Sequence, residues 1–120
     1  MAAMSNPGEV LAQLCATLES RKGADPASSY VAGLYAKGQD AVLKKIAEEA
    51  AEALLAAKNG DLGNLTHELA DLWFHTLVLM AQHNLPLASV TDELARRFGT
   101  SGLTEKAARL TKVKTGEDHG

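Results

Sequence analysis

Cysteine, aromatic side chains and long apolar runs are scarce in this chain of 120 residues. Its one cysteine, Cys15, lacks a second cysteine with which to form an intramolecular disulfide or a zinc site, so a reducing compartment fits best. No segment reaches the ~18 uninterrupted apolar residues that a membrane span needs. The first residues also lack the basic start and apolar run of a signal peptide. We therefore expect a cytoplasmic protein that is not embedded in a membrane.

An excess of positive charge is also missing. The formal net charge is -3 and the pI is near 5.8, which disfavours nucleic acid as the main partner. Aromatic residues make up only 4% of the chain, whereas hydrophobic residues, many of them alanine and leucine, make up 46%. This balance favours helices packed through small side chains over a β-sandwich, and the length suits a single domain. The composition thus predicts one all-α domain.

Periodic apolar residues and turn signals divide the sequence into about four to six helices. The breakers Gly23 and Pro26, the pair Lys37-Gly38 and the pair Asn59-Gly60 separate the first four. Residues 9–114 should form the domain, with flexible ends at 1–8 and 115–120. The predicted helices run over about Glu9–Glu19, Ser29–Ala36, Gln39–Lys58, Leu62–Asn84, Pro86–Phe98 and Thr104–Lys114.

The fourth predicted helix is apolar on nearly every face, and Asp61 can cap its start. Its large side chains Trp73, Phe74 and Met80 are most simply core or interface residues rather than residues that stack on a nucleobase. The few helices of one small chain can hardly cover such a helix on all sides. We therefore expect a homodimer whose two chains complete a shared helical core.

Acidic residues follow a helical pattern on the third predicted helix. Glu49 and Glu52 are three residues apart, so they project in neighbouring directions, and Lys45 falls on the same strip. Glu48 points roughly the opposite way and should be better solvated. Taken alone, a Glu-Glu-x-x-Glu sequence on a helix is usually a solvated surface.

The fourth predicted helix carries a matching polar stripe of Asn64, Glu68, Asp71 and His75, spaced by four, three and four residues. Ionised carboxylates on a largely buried helix are costly unless a partner neutralises them, and the nearby cations are too few for all of these acids. A divalent metal is the simplest partner. Oxygen ligands with room for water suit Mg²⁺ better than zinc, and Mg²⁺ often completes its shell with water and phosphate oxygens. The two helices therefore predict a site for metal-assisted hydrolysis of a phosphoanhydride.

The combination of Glu48-Glu49-x-x-Glu52 with Glu68-x-x-Asp71 resembles the signature of the all-α, MazG-type nucleotide pyrophosphohydrolases. Within that superfamily, the flanking sequence is similar to the phosphoribosyl-ATP pyrophosphohydrolase family over most of the chain. The segments that carry this similarity are Ser29–Leu34, Lys44–Glu49, Ala56–Asn59, Glu68–His75 and Arg96–Leu103.

The resemblance implies a cytoplasmic, Mg²⁺-dependent homodimer with a helical-bundle fold. Its implied reaction is hydrolysis of 1-(5-phospho-β-D-ribosyl)-ATP to the corresponding AMP derivative and pyrophosphate, the second step of histidine biosynthesis. Glu48 is implied as a further metal ligand or as the group that orients the attacking water, and Lys45 and Lys58 as phosphate contacts. The implied metal ligands, which are also catalytic residues, are Glu49, Glu52, Glu68 and Asp71.

Other interpretations stay open at this point. His75 is as compatible with a hydrogen-bonded core histidine as with a residue that contacts substrate, and Lys45 and Lys58 could instead form surface ion pairs. A general MazG-type or dUTPase-like enzyme would use the same carboxylates on other nucleoside triphosphates. A non-catalytic helical adaptor would carry the acidic stripes only for specificity and solubility, and it predicts no dependence on metal.

Overall fold

The structure is a computed structural model that describes residues 6–99 and 106–110. Within these ranges the chain forms helices and turns and contains no β-strand, which confirms the predicted all-α class. Residues 106–110 are helical and fall inside the sixth predicted helix, whose other residues lie outside the described ranges. The longer helices are α1 (Pro7–Ser20), α2 (Tyr30–Lys37), α3 (Gln39–Lys58), α4 (Leu62–Gln82) and α5 (Leu87–Arg96).

The helices begin at residues whose side chains satisfy the first free backbone N–H groups. Ser29 accepts from the N–H of Ala32 at the start of α2, and Asp61, as expected, caps α4. The first helix begins at Pro7, two residues before the predicted start, because the Asn6 side chain caps it and proline suits the first helical turn. Residues 7 and 8, assigned from sequence to a flexible end, therefore belong to α1.

A tight turn folds α3 and α4 into a hairpin. Gly60 adopts a left-handed backbone with φ of 72°, and its N–H donates to the carbonyl of Ala57. A hydrogen bond joins Gln39, the first residue of α3, to His83 at the end of α4, so the two helices run antiparallel. The acidic strip of α3 therefore faces the polar stripe of α4.

By its internal contacts the chain divides into a first unit, Met1–Leu87, and a second unit, Ala88–Gly120. The first unit has its core where α1, α3 and α4 meet, at the fully buried Leu18, Val42 and Val78. Cys15 packs against this core. None of the helices in the described ranges combines the length and apolar character that crossing a membrane requires.

In the second unit, α5 exposes its apolar residues Val90 and Leu94. A hydrogen-bonded ion pair holds its last turn, with Nη2 of Arg96 at 2.8 Å from Oε1 of Glu93. This pair, opposed in part by desolvation, lowers the pKa of the Glu93 carboxyl. Because both side chains are substantially exposed, the pair contributes little to stability.

Candidate active site

Three carboxylates from the two hairpin helices converge on one point. Glu49 and Glu52 extend from adjacent turns of α3, and Glu68 approaches them from α4. One oxygen from each lies within 4.8 Å of the others. Glu49 and Glu68 are only 5% and 8% exposed, whereas Glu52 is exposed. The structure thus brings together three of the four residues that the sequence analysis proposes as metal ligands.

This convergence is electrostatically unfavourable without a cation. The Oε2 atoms of Glu49 and Glu68 are buried and have no hydrogen-bond partner. Hydrogen bonding to Glu52, burial and the proximity of Glu49 together raise the pKa of Glu68 to about 7. Burial alone would raise the pKa of Glu49 as well, but its interactions with Glu68 and Lys45 lower that pKa below the ordinary value. Glu68 therefore holds a proton that an isolated glutamate would lose.

The raised pKa of Glu68 predicts that the metal-free protein loses stability as the pH rises from about 4.5 to 7. In this window the unfolded chain has released the Glu68 proton and the folded chain still holds it, so raising the pH favours the unfolded state. Glu49, whose pKa is lowered, affects stability only at more acidic pH. Thermal melting in EDTA at pH 4.5, 5.5, 6.5 and 7.5 measures the effect. Glu68→Gln should flatten the profile, and an equally steep profile in that variant would contradict the assignment.

Asp71 lies in a second acidic group that shares Glu68 with the first. His67, Glu68 and Asp71 each place a ligand atom within 4.8 Å of the other two. The Nε2 atom of His67 lies 3.3 Å from Oδ2 of Asp71. His67 was not among the residues predicted from sequence, although its position four residues before Asp71 places both on one face of α4. Because Glu68 belongs to both groups, it lies close to each of the other three proposed ligands, Glu49, Glu52 and Asp71.

The remaining candidates on α3 lie in three different environments. Lys45 is half-buried, and its Nζ atom lies 3.4 Å from Oε1 of Glu49, which confirms that the two share a strip. Glu48 is exposed, as its position on the helix predicted. Lys58 is exposed in the last turn of α3, six residues beyond Glu52, and it is not one of the converging carboxylates' neighbours in either cluster.

An open hollow of about 340 Å³ lies beside the carboxylates. Lys45, Glu49 and Asp71 line it together with three aromatic rings, those of Tyr30, Phe74 and His75. The rings of Phe74 and His75 meet edge to face with centroids 5.2 Å apart, and Tyr30 meets His75 in the same way. The lining of the hollow therefore combines charged and aromatic groups.

His75 is buried between α4 and α2 and uses both ring nitrogens. Its Nδ1 atom lies 2.8 Å from the backbone carbonyl oxygen of Asp71, and its Nε2 atom lies 2.8 Å from the hydroxyl of Tyr30. His75 is therefore a hydrogen-bonded buried histidine, the first of the two roles left open for it. Its ring also lines the hollow, and contact with substrate stays a prediction. Tyr30 was not predicted as a site residue. From sequence it stood out only as part of the segment Ser29–Leu34, which carries the family resemblance.

The donor set fits a hard divalent cation. It consists of carboxylate oxygens, and two of them are buried atoms that no group of the described chain satisfies. A bound Mg²⁺ ion would give these oxygens a partner and remove the repulsion between the acids. The side of the cluster at Glu52 is exposed, which leaves room for water and substrate oxygens.

Comparison with known proteins decides the family. The family model described as phosphoribosyl-ATP pyrophosphohydrolase matches residues 11–98, which include every residue of the site. The chain belongs to the phosphoribosyl-ATP pyrophosphohydrolase family. The matched region thus contains the α3–α4 hairpin, which carries both acidic motifs and their carboxylates.

Several bacterial proteins named phosphoribosyl-ATP pyrophosphatase are similar to the chain over nearly their whole length. The protein from Nitrosospira multiformis is 58% identical over 106 residues, which cover 88% of this chain and 87% of the relative. The protein from Chromobacterium violaceum is 56% identical and that from Methylococcus capsulatus 55%, each over 84% of this chain and at least 94% of the relative. The similarity to this phosphoribosyl-ATP pyrophosphohydrolase family therefore covers both acidic motifs and the helices that hold them.

Proposed function

We propose that the chain hydrolyses 1-(5-phospho-β-D-ribosyl)-ATP to the AMP derivative and pyrophosphate with Mg²⁺ as its cofactor. Membership of the phosphoribosyl-ATP pyrophosphohydrolase family makes it a hydrolase of a phosphoanhydride bond in histidine biosynthesis. The observation that carries the mechanism is the convergence of Glu49, Glu52 and Glu68, two of which hold buried, unsatisfied oxygens. A proton or a cation stabilises such a cluster, and a cation would in addition supply charge neutralisation for hydrolysis of a phosphoanhydride, which supports the proposed metal.

The metal would be held by the carboxylates of Glu49, Glu52, Glu68 and Asp71. Mg²⁺ bound there would neutralise charge on the phosphate oxygens and activate a water molecule for attack on phosphorus. Glu68 would release its proton on binding, because a cation favours the charged form of a neighbouring carboxylate.

The chain's own groups orient the substrate beside this site. The Lys45 ammonium lines the hollow, where it would contact a phosphate oxygen and offset the negative charge that develops as pyrophosphate leaves. Interaction with Glu49 raises the pKa of Lys45, so the amine stays charged at neutral pH. The roles of Glu48 in orienting water and of Lys58 in binding phosphate rest on the family resemblance and remain predictions.

We also propose that two copies of the chain form the active enzyme. On α4, Leu62, Leu69 and Trp73 follow one another at intervals of seven and four residues, so they form a single stripe. All three are exposed in the single chain, Leu62 at 73% and Trp73 at 59%. A stripe of large apolar side chains on a central helix is typical of an interface between copies, which agrees with the dimer expected from sequence.

A cytoplasmic location is proposed in addition, because Cys15 is a free thiol.

Release of pyrophosphate from phosphoribosyl-ATP tests the proposed function. We expect fast release with Mg²⁺ and none with EDTA, and much slower release from dUTP, dCTP and ATP under the same conditions. Comparable rates on the other triphosphates would indicate a general nucleotide pyrophosphohydrolase. No release from any substrate would favour the helical adaptor instead. Full activity in EDTA would contradict the proposed metal.

A further inference from the structure

The hydrogen bonds of His75 determine how the Tyr30 hydroxyl is oriented. A backbone carbonyl can only accept, so the Nδ1 atom of His75 must carry the proton that it donates to the carbonyl oxygen of Asp71. In a neutral ring the Nε2 atom is then an acceptor, and the hydroxyl of Tyr30 donates to it across 2.8 Å. The hydroxyl hydrogen is thereby directed towards His75.

The Tyr30 oxygen consequently offers only a lone pair to the hollow. A phosphate oxygen at neutral pH is itself an acceptor, so it has no hydrogen to donate to this group. A sugar hydroxyl or an N–H group of a nucleotide has one. The backbone carbonyl of Asp71, within α4, and the edge-to-face contact with Phe74 together fix the imidazole. The arrangement therefore orients one acceptor in the lining of the hollow, among charged groups that include Lys45.

The geometry points to Tyr30 as a substrate-binding residue that accepts a hydrogen bond from a hydroxyl or N–H group of the nucleotide, with His75 as the residue that positions it. This inference rests on the proposed function and adds to it that different residues bind different parts of the substrate. The carboxylates and Lys45 serve the phosphates, and Tyr30 serves the nucleoside or phosphoribosyl part of the substrate. His75 itself acts through Tyr30 and needs no contact with substrate.

Tyr30→Phe tests the inference because it removes the hydroxyl and keeps the ring. We expect KM for phosphoribosyl-ATP to rise by roughly 3- to 10-fold with kcat changed less than about twofold, the effect of one neutral hydrogen bond. Binding of the two products distinguishes a contact with phosphate from a contact with the nucleoside or phosphoribosyl part. With Mg²⁺ present, the affinity for phosphoribosyl-AMP should fall by a similar factor, and that for inorganic pyrophosphate should not change.

Tyr35→Phe is the matched control. Tyr35 is the only other tyrosine of the chain, and its hydroxyl donates to the backbone carbonyl of Leu18, away from the residues that line the hollow. The substitution is chemically identical, so it should leave KM unchanged whatever its effect on the melting temperature. A rise in KM equal to that of Tyr30→Phe would attribute the effect to stability and contradict the inference.

Two substitutions of His75 test its positioning role. His75→Gln can keep an acceptor near the position of Nε2 and should preserve most of the wild-type KM, whereas His75→Leu should raise KM about as much as Tyr30→Phe. Combined with Tyr30→Phe, His75→Leu should add less than about a twofold effect, because one hydrogen bond is being removed twice. Additive effects of the two changes would show that His75 acts independently of Tyr30.

The outcomes distinguish failure of the inference from failure of the proposed function. No turnover of phosphoribosyl-ATP by the wild-type chain would overturn both. Wild-type turnover with an unchanged KM in Tyr30→Phe would overturn the inference alone. A loss of pyrophosphate affinity in that variant, without loss of phosphoribosyl-AMP affinity, would also overturn it, because the hydroxyl would then contact phosphate.

Discussion

Glu68→Gln should lower Mg²⁺-supported pyrophosphate release by on the order of 100-fold or more while the chain stays folded. Loss of a residue that merely orients a metal ligand often costs 10- to 100-fold, so loss of a ligand itself should cost at least as much. Glu68 is the residue that belongs to both acidic groups, the one with Glu49 and Glu52 and the one with His67 and Asp71. Its neutral replacement keeps the size of the side chain and removes the charge.

The same substitution should have the opposite effect on stability. At pH 7.5 in EDTA, Glu68→Gln should melt at a higher temperature than wild type, because it relieves repulsion with Glu49 and Glu52. In Mg²⁺ the difference in melting temperature between the two proteins should narrow or reverse, since only the wild type gains stability by binding the ion. A structural role for Glu68 predicts a lower melting temperature and a loss of activity together, so the two measurements separate the explanations.

Asp71→Asn and Asp40→Asn complete this test. Asp71→Asn should also abolish metal-supported turnover, since Asp71 lies beside Glu68 and lines the hollow. Asp40, in the first turn of α3, is not one of the converging acids, and its replacement by asparagine should leave kcat within about twofold. Normal activity in both Glu68→Gln and Asp71→Asn would refute the proposed site.

The hairpin and its carboxylates could be predicted because both depend on local sequence. The apolar period and the Asn59-Gly60 turn define two long helices whose bounds agree closely with α3 and α4. A short turn makes neighbouring helices antiparallel, so acids on one strip of each must face one another. The spacing of Glu49, Glu52 and Glu68 along the chain was therefore enough to place them together.

Contacts between distant segments could not be predicted in this way. Tyr30 and His75 are 45 residues apart, and periodicity says which face of a helix is buried without saying which helix covers it. The pairing depends on how α2 packs across the hairpin, which results from tertiary packing. The same limit applies to Trp73 and Phe74, for which the sequence predicts the same core or interface position. The structure places Phe74 against the core and the hollow and leaves Trp73 exposed.

Leu62→Glu combined with Trp73→Glu should weaken self-association of the chain by on the order of 100-fold or more in Kd. Burying one large apolar side chain stabilises an interface by ~1.5–3 kcal/mol, and two such losses correspond to at least two powers of ten. Both residues belong to the exposed stripe of α4. Sedimentation equilibrium over a range of concentrations measures the change.

Leu62→Glu alone provides the sharper test, because it should not harm the helix that carries it. Leu62 is the first residue of α4, and a negative charge there interacts favourably with the helix N-terminus. Trp73, the only tryptophan, then serves as a reporter, since its emission should shift to longer wavelength as the interface opens. Val10→Glu, an equal change at an exposed apolar residue of α1, should leave association and emission as in wild type. A wild-type chain that stays monomeric at high concentration would refute the interface. Unchanged association of Leu62→Glu would show that the interface lies elsewhere than on this stripe.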